Sequence, residues 1–143
     1  MYQVALRLSE PPSQTVLEAM LDVLASHNAR WYLRQWRSRR EPPGSAAAAG
    51  VRWQPDAPAT EAIFQDAPLT FSRRWASCGP IAAIAVGYAR ALEQLRGLAE
   101  PSVSEMHRVV LLPQGSLRAQ RQWHAYHLAG QRLIDPTALM RRR

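Results

Sequence analysis

The stretch from Ser77 to Gly97 constrains the fold of this chain more than any other. Ser77-Cys78-Gly79-Pro80 opens it, and Ile81, Ile84, Ala85, Tyr88, Leu92 and Leu95 then recur at steps of three and four, the spacing of a helix face. Pro80 is at home in the first helical turn, where its missing N–H would have no partner anyway. The helix should end near Gly97. A helix this apolar has to be buried, so the rest of the chain must cover it. At 143 residues the chain suits one domain with a real core, not two independent ones.

The covering elements can be read in outline. Val4-Ala5-Leu6-Arg7-Leu8 has the pattern of a short strand closed by Pro11-Pro12. Ser13 is a candidate N-cap for a helix in which Val16, Leu17, Met20, Leu21, Val23 and Leu24 recur up to Ala25. Ser26-His27-Asn28 predicts a break, followed by an aromatic-rich helix with Trp31, Tyr32, Leu33 and Trp36 running to about Arg40. Glu41-Pro42-Pro43-Gly44-Ser45 and the four alanines after it predict a mobile loop. Val51-Arg52-Trp53 is a small apolar island, and Pro55, Pro58 and Pro68 predict mostly irregular chain up to Thr70.

After Pro101 three strand-like runs follow. They are His107 to Leu112 stopped by Pro113, Gln122 to Leu128, and Gln131 to Asp135 stopped by Pro136. The order is a helical N-terminal half, a loop, one buried helix and an antiparallel meander. That is an α+β arrangement. It reads as a single domain over 1–143, with 1–45 a helical N-terminal extension and 70–140 the part that carries the candidate chemistry.

Charge is less informative than it first looks. All 18 basic residues are Arg, none is Lys, and the net charge is +7. A basic chain invites a nucleic-acid partner. Yet only Arg37, Arg39 and Arg40 and the tail Arg141 to Arg143 are clustered. Lysine-free, Arg- and Ala-rich usage fits the coding bias of a GC-rich genome, and nucleic acid is disfavoured as a partner. The longest apolar run, Ile81 to Val86, is far too short to span a bilayer, and no secretory pattern follows Met1. A single cysteine excludes an internal disulfide and fits a reducing cytoplasm. No paired-ligand spacing for a metal and no glycine-rich phosphate loop occurs, so no metal and no cofactor is expected.

That cysteine is the candidate nucleophile. Cys78 falls at a helix N-terminus, where the helix dipole and N–H groups favour thiolate over thiol. A lone Cys beside Gly, Pro and Ile also suits a small buried hydrophobe. The terminal hairpin adds a second observation. With Ala129-Gly130 at the centre of an even-length turn, His124 and Asp135 become direct cross-strand partners on one face, and an odd-length loop would separate them. A carboxylate that fixes the tautomer of a histidine next to an activated thiol is triad logic. His107 and His127 lack an Asp at a matching offset and read as surface or core-edge histidines.

Trp75-Ala76-Ser77-Cys78, His124-Ala125-Tyr126 and Leu133-Ile134-Asp135-Pro136-Thr137 together resemble the transglutaminase-like superfamily. Gly50-Val51-Arg52-Trp53 and the ending through Ala138-Leu139-Met140 are similar to its phage and prophage members. The resemblance spans about residues 28 to 140, with specific motifs at three places. It implies a papain-like fold with Cys78 as nucleophile, His124 as general base and acid, and Asp135 as the orienting carboxylate. It also implies oxyanion donors at the helix start, with Trp75 or Trp123 as a water shield. The phage proteins carry Asp-Cys-Glu-Asp around the cysteine, whereas Ser77-Cys78-Gly79-Pro80 removes negative charge there and favours the thiolate.

The expected function is then a cysteine-dependent hydrolase or acyl transferase acting on a peptide or protein amide through a thioester. The alternative is a non-enzymatic phage assembly or virion protein on the same fold, with other phage structural proteins as partners. A third reading, an Arg-driven binder of acidic partners, has no recognition motif behind it. Without lysine, the chain's own side chains could not serve as an acceptor amine.

Overall fold

The computed structural model describes residues 3–7, 14–54, 61–97, 107–114, 122–138 and 140. The elements run β1 (Gln3–Arg7), α1 (Gln14–Arg37), β2 (Arg52–Trp53), β3 (Glu61–Gln65), α2 (Ala67–Arg73), β4 (Trp75–Ala76), α3 (Cys78–Leu95), β5 (His107–Gln114), β6 (Gln122–Ala129) and β7 (Arg132–Ile134). This is a mixed α+β architecture. β1 pairs antiparallel with β3, β2 pairs parallel with β4, and β5-β6-β7 form an antiparallel meander.

α1 is one continuous helix, not two. Ser26, His27 and Asn28, the residues that predict a break, each bond outward to another element. Ser26 Oγ accepts from Arg90, His27 Nε2 meets Asp66 Oδ2 at 3.1 Å, and Asn28 Oδ1 accepts from Ala67 N at 2.9 Å. Polar side chains weaken a helix by competing for its backbone. Here they are spent on α2 and α3, so the ladder survives. The buried stripe Leu17, Leu21, Leu24, Ala25, Asn28, Ala29, Tyr32 then faces inward along the whole length.

α3 is buried over Pro80 to Gly87, with Ala85 half-buried, and again at Arg90 and Ala91. Its main partner is α1; α1 lies against β5, and α3 against both β5 and β6. Leu17, Leu21, Leu24 and Ala25 meet Ala82, Ala83 and Val86, with Val109, Leu111, Ala125 and Phe64 completing that core. A second cluster joins Ala29 and Tyr32 to Ile84 and Ala91, with Trp31, Trp36, Phe71 and Tyr88 around it. Residues 14–37 thus share one core with the segment that carries Cys78, and the aromatic residues of α1 serve packing.

The middle of the chain holds more structure than expected. Ser45 Oγ accepts from Ala48 N, while Gly50 N bonds Ala47 O and Val51 N bonds Ala46 O. Gly50, at φ +74°, supplies the left-handed residue that such a Schellman closure requires. The alanine run is therefore a capped turn, with Ala46 buried against Val51, Ala76, Ile81 and Met140. Pro68 does not keep its region irregular either, because it stands in the first turn of α2, which Asp66 caps by accepting from Leu69 N at 3.1 Å. β5 likewise runs past Pro113 to Gln114. It is an edge strand, where a proline can sit without costing the ladder a bond. No helix among the described residues is long and apolar enough to cross a membrane.

Candidate active site

Cys78 is the first residue of α3, delivered there by a tightly held approach. Arg74, in the left-handed conformation at φ 64°, ends α2 and turns the chain into β4. Arg52 N bonds Arg74 O at 2.8 Å and Gln54 N bonds Ala76 O at 2.9 Å, so β2 fixes β4. The buried Gln65 amide adds a bond to Trp75 O at 2.6 Å. Ser77 then occupies the N-cap but makes no side-chain cap bond, and its buried hydroxyl has no partner among the described residues. The first turn of α3 carries no acidic residue, so no side chain of that turn offsets the positive end of the helix dipole beside the sulfur.

The half-buried sulfur lies 3.9 Å from the carbonyl oxygen of Trp123, the residue before His124. Trp123 and Ala125 pack with the core that Cys78 also touches. The alternation of a strand assigns His124 and Tyr126 to the other face. The Tyr126 ring meets His124 edge-on at 4.8 Å. Cys78 therefore meets β6 at its backbone, one residue before the imidazole.

His124 and Asp135 are in direct contact, with Nε2 and Oδ1 2.9 Å apart. The register that brings them together differs from the expected one. β6 and β7 pair His127 with Ile134, Leu128 with Leu133 and Ala129 with Arg132. The two loop residues are Gly130 and Gln131, one position on from a turn centred on Ala129-Gly130, which moves every cross-strand partner by two. Gly130, at φ 63°, takes the first loop position, where a type II′ turn puts glycine, whereas alanine is poorly suited to it. An even shift preserves the face but moves the partner. His124 and Asp135 are diagonal neighbours, not directly opposite ones.

Thr137 bridges the diagonal, a role that no spacing in the sequence announces. Its backbone N and its Oγ1 both donate to Asp135 Oδ1, at 3.0 and 2.8 Å, and Oγ1 lies 3.4 Å from His124 Nε2. Asp-Pro-Thr is thus a compact device in which the residue two positions on holds the carboxylate oxygen in place. Burial alone would push the Asp135 carboxyl up. The bonds from His124 and Thr137 outweigh it and hold the group below the ordinary carboxylate value. An ionised carboxylate only accepts, so the nitrogen of His124 that meets it, Nε2, carries a proton, and in the neutral ring the lone pair is then on Nδ1. His124 is 3% exposed.

The two candidate shields serve other contacts as well. The Arg73 guanidinium lies over the Trp75 ring at 5.6 Å, and Trp123 packs on the main core. Among the described residues, no group of three or more His, Cys, Asp or Glu side chains is arranged to hold a metal ion.

His107 and His127 are neither isolated nor exposed. His107 Nδ1 and His127 Nε2 are 2.9 Å apart, on the sheet face that turns toward the helices. Burial first, then the charges of His107 and Arg90, push His127 down to about 4 from 6.5, and burial lowers His107 against an opposing pull from Glu93. The unfolded chain takes up protons near pH 6.5 that the native pair refuses, so stability present above that pH is lost as pH falls towards 4. We expect Tm to drop over this window, and less steeply in a His127→Gln variant, as calorimetry at several pH values can measure. Equal slopes in the two proteins would show that the pair does not titrate in this way.

No family model matches the chain, and no curated protein or solved structure matches it.

Proposed function

We propose that the protein is a cysteine-dependent hydrolase or acyl transferase of transglutaminase-like, papain-like type, acting on a peptide or protein amide through Cys78, His124 and Asp135. The observation that carries this reading is the 2.9 Å contact between His124 Nε2 and Asp135 Oδ1, because it leaves Nδ1 as the basic nitrogen on the strand that the sulfur abuts. The reaction requires the Cys78 side chain to pass the Trp123 carbonyl and meet His124 from the opposite face of β6, where Nδ1 takes the thiol proton as the sulfur attacks the amide carbonyl carbon. The negative oxygen that forms is stabilised by N–H groups at the start of α3. The C–N bond then breaks as His124 returns the proton to the departing amine, leaving a thioester on Cys78. Water releases an acid from it, and an amine gives a new amide.

The near-complete burial of His124 favours a second reading, a structural protein, such as a phage assembly or virion component, in which the pair is packing. Alkylation separates the two. If Cys78 is activated, its reaction with iodoacetamide as a function of pH has a midpoint at least about 1 unit below the roughly 8.5 of a free thiol. A midpoint at or above the free value, with no labelling near neutral pH, would sink the enzymatic reading.

A further inference from the structure

A second site lies at the other end of α3. Asp22, Ser26, Ala29 and Arg30 of α1, Arg90 and Gln94 of α3, and Arg108 of β5 line an open cleft of about 360 Å³. On α1 the lining residues recur at steps of three and four, and on α3 at a step of four, so each helix presents one stripe to the cleft. Ala29 is small, which leaves the space between the helices open. Arg90 and Gln94 follow Cys78 by twelve and sixteen positions, which at the helical rise sets the cleft about 18 Å or more from the thiol.

The charges in this cleft are unequal in kind. The buried Arg90 is fully engaged. Its guanidinium is paired with Asp22 Oδ1, donates to Ser26 Oγ at 3.0 Å and, through Nε, to the His107 carbonyl at 3.0 Å. It forms a rigid floor whose positive charge Asp22 neutralises. Arg30 and Arg108 are exposed on the rim, one from each side, and neither has an ion-pair partner among the described residues. Three arginines against one aspartate leave the lining with a net charge of +2. Two exposed arginines line a space whose floor is already fixed, and Ser26 and Gln94 supply neutral polar groups beside them.

We infer that this cleft binds a doubly charged oxyanion, the phosphate of a small organic phosphomonoester. Guanidinium groups suit tetrahedral oxyanions because each can donate two parallel N–H bonds. A charge of +2 matches a phosphomonoester dianion better than a single carboxylate. The volume exceeds what a bare phosphate fills and falls at the small end of small-molecule sites, so the ligand has an organic part beyond its phosphate.

The test is an NMR titration of the full-length ¹⁵N-labelled protein with glycerol 3-phosphate, inorganic phosphate and acetate at matched ionic strength. Saturable shifts confined to Ser26, Arg30, Arg90, Gln94 and Arg108 are expected with glycerol 3-phosphate, at a Kd of about 1 mM or tighter. Inorganic phosphate should bind several-fold more weakly, and acetate not saturably. The Arg30→Ala/Arg108→Ala variant should weaken binding by about 10-fold or more with no change in Tm, because both side chains are exposed. An Arg→Lys pair should recover only part of the affinity. Three results would overturn the inference: no saturation by about 20 mM, acetate equal to the phosphates, or a double variant that binds like wild type. A short DNA duplex that binds more tightly than the monoester with the same dependence on Arg30 and Arg108 would also overturn it, by assigning the rim to nucleic acid.

Discussion

Replacing His124 with alanine is expected to lower turnover of an activated ester such as p-nitrophenyl acetate by about 10³-fold, whereas Asp135→Asn should cost only about 10-fold. The first loss follows from removing the only side chain that both takes the thiol proton and returns it to the leaving group. The second is small because of Thr137. An asparagine that turned its NH2 toward the imidazole would force the proton onto Nδ1 and destroy the base. Thr137 N and Oγ1 both donate to the oxygen at the Oδ1 position, so they hold the amide oxygen there and oppose that flip. The Asp135→Asn variant would keep the tautomer and lose only the charge. Adding Thr137→Val to Asp135→Asn removes one of the two donors and should bring the loss near that of His124→Ala. Initial-rate kinetics on the four proteins, with circular dichroism to confirm folding, measures all of this. A Cys78-dependent ester hydrolysis that is unaffected by His124→Ala would remove the imidazole from the mechanism. No Cys78-dependent hydrolysis in wild type would favour the structural reading.

The contribution of Thr137 marks where the sequence stops being legible. Parity can be read from it: the face shared by His124 and Asp135 depends only on whether the loop is even. Register cannot, because it turns on which residue takes the positive-φ position. Gly130 can sit first or second in a two-residue loop, and only the ease of glycine over alanine at the first position separates the two. The diagonal His107–His127 contact is hidden for the same reason, since a pairing inside a longer connection has no turn centre to count from. The continuity of α1 is hidden differently. Ser26-His27-Asn28 breaks a helix only if those side chains have nothing better to bond, and their partners Arg90, Asp66 and Ala67 lie 39 or more residues away. The periodic, apolar α3 can be read nearly to the residue, because its burial is written in its own side chains.

The largest expected loss of stability is at a residue with no side chain. Gly87→Ala should destabilise the fold by about 3 kcal/mol and lower Tm by about 10 °C, although alanine is the better helix former by about 1 kcal/mol. A Cβ built at Gly87 would lie 2.7 Å from Asn28 Cβ, 2.8 Å from Ala25 O and 3.1 Å from Ala29 N. Two of these are backbone atoms of α1, which cannot rotate away, so α1 and α3 must move apart at the centre of the largest helix contact. That separation would strain the Asn28–Ala67 bond as well as opening the core on both sides of it. Gly79→Ala is the control on the same helix. There the new methyl meets the tip of Leu21 at 3.1 Å, a flexible side chain that can shift by a few tenths of an ångström. Helix propensity should then decide the sign, leaving Gly79→Ala neutral or slightly stabilising. Urea unfolding of the two variants distinguishes steric exclusion from propensity. If Gly87→Ala were as stable as wild type, α1 and α3 would not be as close as the backbone contacts at Gly87 require.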